Sequence, residues 1–195
     1  MDQTIARRVI RLVCVLAVLA GLAMMPIAAK GEKRKPERFR GNALSIGTGK
    51  TATARVDIVI SRWTTPEERQ ALLTVLAEGG SKALSEALTR EPEAGFVLVD
   101  QERKTLRYAR QWEQDGKRMI VAATDRPVRY GEIRHSARSA DKTVSLVQLA
   151  LDEDGSGEGS MALAVELILD KANNRLIVEN QSLQPVRLDS IKKVK

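Results

Sequence analysis

Several stretches of this chain alternate apolar residues at every second position, and that pattern decides most of what it can fold into. Met161, Leu163, Val165, Leu167 and Leu169 alternate without a break, and Val56, Ile58 and Ile60 alternate with Asp57, Val59 and Ser61. A period of two sends one set of side chains to one face of an extended segment, so both stretches predict strands, and the unbroken run from Met161 to Leu169 predicts one buried face. The same pattern, rich in β-branched residues, starts at Ala43 and returns at Phe96-Val97-Leu98-Val99, 105–113, 118–124, 144–152, 175–181 and 185–191. Turn residues separate these runs: Asp100-Gln101-Glu102, Asp115-Gly116, Asn173-Asn174 and Gln184-Pro185.

One segment breaks the period. Thr65 can cap a helix, Pro66 suits its first position and Glu68 completes a capping box. Leu72, Leu73 and Leu76 then line one face until Gly79-Gly80 ends the run. A second short helix is expected from Ser81 to about Arg90, stopped by Glu91-Pro92. The fold class that follows is α+β: one antiparallel, sheet-rich domain of about seven to nine strands, with a pair of short helices near 66–90.

The first 29 residues read as a signal peptide. Arg7, Arg8 and Arg11 form a basic start, an apolar run follows from Leu12 to Ala23, and Pro26-Ile27-Ala28-Ala29 offers cleavage after Ala29. The alternative is an uncleaved anchor over residues 12–29, which Gly21 and Pro26 interrupt. The expected location is therefore exported, periplasmic or secreted, with a membrane-anchored form as the alternative. Cys14 lies inside this segment, so cleavage leaves no cysteine and no redox chemistry.

The formal charge of +7 belongs to the ends of the chain. Residues 30–40 carry six basic and two acidic side chains, the last four residues carry three lysines, and residues 41–191 carry 20 basic against 22 acidic, a net of −2. The reading is a basic disordered lead-in over 30–42, a domain over 43–191 and a basic tail over 192–195. Nucleic acid is not an expected partner, because the body has no basic face interleaved with aromatics. Membrane contact is expected only through the basic tails or an uncleaved N-terminal segment.

Most chemical motifs fail on inspection. Gly47-Thr48-Gly49-Lys50-Thr51 suggests a phosphate loop, but Leu44 stands where that loop needs glycine and a strand follows instead of a helix. Asp152-Glu153-Asp154-Gly155 resembles the start of a calcium loop, yet Leu163 stands where an EF-hand needs glutamate. An acidic hairpin turn explains it, and a calcium site of another kind on Asp152, Asp154 and Glu158 is the alternative. The expected cofactor is none, with calcium possible there. His135 has no second histidine to share a metal. Arg110, Asp125 and Arg126 are the candidate binding residues, since they flank a strand end entering a long polar connection.

Several stretches taken together resemble an uncharacterised family of small secreted bacterial proteins. They are Ser61-Arg62-Trp63-Thr64-Thr65-Pro66-Glu67-Glu68-Arg69, Arg107-Tyr108-Ala109-Arg110, Ala123-Thr124-Asp125-Arg126-Pro127, Leu151-Asp152-Glu153-Asp154-Gly155 with Gly157-Glu158-Gly159, and Glu179-Asn180 with Pro185-Val186-Arg187-Leu188. The segment Asp141-Lys142-Thr143-Val144-Ser145-Leu146 departs from that pattern. The resemblance implies export and a single domain, and it transfers no catalytic residue.

The functional expectation is an exported, non-enzymatic domain that binds an envelope component, a protein partner or a small ligand. One alternative is a carboxylate-based hydrolase using Asp125, His135, Asp152 or Asp154. The other is a calcium-stabilised structural module.

Overall fold

The computed structural model describes residues 35–46, 51–126, 144–170, 175–179 and 185–194. The N-terminal segment with its cleavage point, the loop 47–50, His135 and its connection, and the Asn173-Asn174 turn lie outside the described residues. No helix among the described residues is long and apolar enough to cross a membrane.

The alternating runs form strands β1 (Glu37–Ile46), β2 (Thr51–Ile60), β3 (Gly95–Val99), β4 (Glu102–Gln114), β5 (Lys117–Thr124), β6 (Val144–Leu151), β7 (Ser156–Asp170), β8 (Arg175–Glu179) and β9 (Val186–Val194), with α1 (Pro66–Arg90) after β2. Every pairing is antiparallel, as expected of an α+β, sheet-rich domain. The order β6-β5-β4-β3-β2-β1-β9-β7 returns to its start because β7 also pairs with β6, so eight strands close into a barrel. Strand β8 extends the outer half of β7.

Closure is the feature that alternation alone does not reveal. An eight-stranded barrel has an interior just wide enough for side chains to fill. Phe39, Ile58, Val97, Leu106, Ile120, Leu149, Met161 and Leu188 occupy it, each at most 1% exposed. A second cluster lies where α1 packs on the barrel: Leu72, Leu76, Leu84 and Leu88 meet Ala123, Val144, Val165 and Leu167. The single buried face expected for Met161 to Leu169 is therefore corrected. A register shift against β6 between Ala162 and Val165 turns the strand over. Met161 and Leu163 face the barrel core, whereas Val165 and Leu167 serve the helix.

Two further corrections concern the ends. The segment expected as a disordered lead-in to residue 42 contains β1 from Glu37 onward, and the expected tail is strand through Val194. Phe39, Gly41 and Ala43 are buried between exposed Arg38, Arg40 and Asn42, so a strand alternation hides among charged residues. Lys192 and Lys193 pair in register with Arg40 and Phe39, which joins the two ends of the described chain.

The helix keeps its expected signals. Thr65 accepts from the Glu68 N–H at 3.3 Å, and the Glu68 carboxylate accepts from the Thr65 N–H at 2.9 Å. Gly80, at φ 69° and ψ −166°, interrupts the helical backbone and separates the two expected segments. Just past it, Ser81 accepts from the Leu167 N–H at 3.2 Å and ties the break to β7. Asp100-Gln101 and Asp115-Gly116 both have positive φ at the two turn positions, the geometry that matches strand twist in two-residue hairpins.

Candidate functional site

The connection from β2 to α1 crosses one end of the barrel, and its path is fixed residue by residue. The N–H groups of Ser61 and Arg62 both donate to the Ala94 carbonyl, at 2.8 and 3.1 Å. Trp63 then packs against the barrel core. Thr64 is held to β4 twice: its N–H donates to the Ala109 carbonyl at 2.8 Å, and its Oγ1 accepts from the Ala109 N–H at 3.0 Å. Thr65 follows as the helix cap.

Between this connection, the first turns of α1 and β4 lies a cleft of about 300 Å³, lined by Trp63, Thr64, Thr65, Pro66, Arg69, Arg110 and Gln111. Its walls are braced from outside. Arg118 donates to Gln111 Oε1 from Nε at 2.7 Å, grips both Glu37 oxygens at 2.8 and 2.9 Å, and lies 5.7 Å from the centre of the Trp63 ring. Lys193 meets the same carboxylate at 2.8 Å. The Arg118 guanidinium, with help from Lys193, outweighs burial and holds the Glu37 carboxyl down at about 2. On the helix side, Arg62 grips both oxygens of Glu68 at 2.8 Å. Burial pushes the Glu68 carboxyl up, but the Thr65 N–H and Arg62 together hold it below the usual glutamate range.

Arg69 and Arg110 stand apart from these pairs. Neither has a carboxylate within ion-pairing distance among the described residues. Both guanidiniums act on the Tyr108 hydroxyl through charge and hydrogen bonding, yet burial of the phenol dominates and pushes it up. Arg110 also lies 5.6 Å from the centre of the Trp112 ring. A register shift between Leu106 and Tyr108 creates this arrangement. Leu106 and Ala109 are both fully buried in the barrel although three residues apart, so Tyr108 and Arg110 fall together on the outer side.

Of the candidate binding residues, the structure brings only Arg110 to the cleft. Asp125 accepts from Arg107 Nε at 3.0 Å, and Arg107 Nη1 donates to the Glu91 carbonyl at 2.9 Å, which ties the end of β5 to the end of α1. The Arg126 carbonyl accepts from Thr124 Oγ1 at 2.6 Å. Arg110 pairs with Val121 and Leu106 with Thr124, so the two places lie about four residues, roughly 13 Å, apart along β4. The spacing in sequence places these residues on one strand pair without bringing them together.

The acidic turn is the expected hairpin. Asp152 N–H donates to the Ser156 carbonyl at 2.7 Å, and Gly155 takes φ 79°. Its carboxylates have separate partners: Asp152 with Lys117 at 2.8 Å, Asp154 with the Ser156 N–H and hydroxyl, and Glu158 with Arg187 at 3.3 Å. The Ser156 bonds hold the Asp154 carboxyl below its usual range. Among the described residues no three His, Cys, Asp or Glu side chains are grouped to hold a metal ion.

Trp63, Thr64, Arg69, Tyr108 and Gln111 were not among the sequence candidates. One signal for them was present: Arg69 puts a positive charge at the N-terminal end of a helix, where the macrodipole disfavours it. Comparison of the chain with protein-family models, with curated proteins and with solved structures found no match.

Proposed function

We propose that this chain is an exported, non-enzymatic binding domain, akin to the small secreted bacterial proteins it resembles, with its ligand site in the cleft between the β2–α1 connection and β4. The observation that carries this reading is the contrast within the cleft. Its walls are braced by Arg118, Glu37, Arg62 and Glu68, whereas Arg69 and Arg110 face the space with no carboxylate partner among the described residues. Polar groups converging in a preformed concavity, beside one tryptophan wall, are what fixes the orientation of a small ligand, and this lining is more polar than most such sites. The polar groups are suited to holding a ligand rather than moving protons. Arginine does not deprotonate in proteins, threonine and glutamine do not titrate near neutral pH, and the Tyr108 phenol is pushed up.

The test is a thermal-shift panel of neutral and charged small molecules, read together with tryptophan emission. The reading expects at least one compound to raise Tm and change the emission, and both effects to vanish in Arg110→Trp, which fills the cleft. Compounds that raise Tm equally in that variant would place binding elsewhere. Export is tested separately: the denatured mass of protein from the host's envelope fraction should correspond to cleavage after Ala29.

A further inference from the structure

Arg40, Arg62, Arg103, Arg107, Arg118 and Arg187 each meet an acidic side chain within 3.3 Å. Arg69 and Arg110 have no such partner among the described residues, which is equally true of Arg38, Arg55, Arg90 and Arg126, but these two converge on one cleft. Two like charges brought together repel each other, and Arg69 adds the unfavourable helix end to that cost. A ligand bringing about two negative charges relieves both. A carboxylate brings one, whereas a phosphate monoester carries about −1.5 to −2 at pH 7 with three acceptor oxygens. Guanidinium forks suit those oxygens geometrically.

The remaining lining completes the match. Thr64 Oγ1 accepts from Ala109, which leaves its own hydrogen to donate. Gln111 commits its carbonyl oxygen to Arg118, which leaves its amide N–H groups. Trp63 offers an apolar wall to whatever the phosphate is esterified to.

We propose that the cleft takes a phosphate monoester, clamped between Arg69 and Arg110 with Thr64 and Gln111 as further donors. This rests on the cleft being a ligand site.

The experiment titrates the full chain with inorganic phosphate, glycerol 3-phosphate and acetate at matched ionic strength, following tryptophan emission and heat. A second arm measures binding to phosphatidylcholine vesicles with and without phosphatidic acid. It compares wild type with the Arg69→Gln/Arg110→Gln double variant, so that any contribution of the apolar N-terminal segment cancels. Saturable binding of the two soluble phosphates, at least tenfold tighter than acetate, supports the proposal. Each single Arg→Gln change should weaken it about 10- to 100-fold with Tm preserved, as expected for loss of charge-assisted hydrogen bonds. Arg187→Gln, in an exposed pair, should leave binding unchanged. Should a glutamine variant fail to fold, Arg→Lys at the same position keeps the charge, loses the fork and should still bind more weakly than wild type. Binding confined to phosphatidic-acid vesicles, and lost in the double variant, supports the same chemistry with a lipid headgroup as its source. Equal affinity for acetate and phosphate, or indifference to both arginines, overturns it. Capture of a neutral compound with no response to phosphate overturns it while sparing the binding site, and no response to any compound overturns both.

Discussion

Glu37 shows how much one side chain can carry in a small barrel. It is the shared partner of Arg118 and Lys193, and through Arg118 it braces Gln111 and Trp63 at the cleft. Its folded carboxyl titrates at about 2, below the ordinary 4.5. A group lowered on folding stabilises above its unfolded value, so this contribution is complete above about pH 4.5 and disappears as pH falls toward 2. Glu37→Gln should therefore cost about 1.5–3 kcal/mol at pH 7, because Arg118 and Lys193 lose their charged acceptor. Urea midpoints at pH 7 and pH 3 check it, since the difference between variant and wild type should shrink at the lower pH. Gly95 is the second residue on which much depends. At φ 152°, a Cβ placed on it would stand 1.9 Å from the Val59 carbonyl oxygen. Gly95→Ala should thus lower stability by at least about 3 kcal/mol, through strain and displacement of paired β2 backbone, visible as a lower denaturation midpoint. Neither role is legible in the sequence: Glu37 meets Arg118 across 81 positions, and Gly95 is set by how closely β2 approaches.

At the scale of elements, what the sequence shows clearly is what neighbouring residues decide. The capping box at Thr65 and Glu68, the break at Gly80 and the Asp115-Gly116 turn depend on a few adjacent residues, and each forms where its chemistry predicts. Thr65→Ala should cost about 1 kcal/mol by stranding the Glu68 N–H, and Thr65→Ser should recover most of it. Thermal melts of the two variants make that comparison. The elements missed or misread involve partners far along the chain. Strand β1 hides its alternation among Arg38, Arg40 and Asn42, and only pairing with β2 and β9 orders it. The shift beside Tyr108 reverses which residues of β4 face out: with Leu106 buried, a strict period of two would turn Tyr108 and Arg110 into the barrel. Tyr108 and Arg110 share a face in either case, and the shift turns that face outward, to the cleft. Half of the candidate site, Arg69 and the cap before it, was present in local signals. The other half depended on that one-residue shift.

Closure governs the whole molecule. Eight alternating strands could equally form an open sheet; what curls them is a set of local irregularities, such as the shift in β9 where Ser190 takes φ 51° opposite Gly41. Once closed, the barrel has no edge left over its paired lengths, and its interior is a packed core. Leu149, fully buried, should cost about 2–5 kcal/mol on truncation to alanine, a large part of the 5–15 kcal/mol typical of a domain. The pairing that completes the circle is the most distant one, joining Arg38 to Val194. Its loop-closure entropy is offset only when β9 also docks on β7, so closure should come late and folding should fall in the millisecond-to-second range of barrels rich in distant contacts. Removing residues 186–194 tests this. It exposes one edge of β1 and one of β7, uncovers Phe39 and Met161, and removes Lys193 from Glu37. The shortened chain should lose its cooperative unfolding transition by circular dichroism instead of melting at a merely lower temperature. A sharp transition in that chain would show that the seven remaining barrel strands, β8 and α1 form a stable unit without closure, and that β9 adds only to the site end of the barrel.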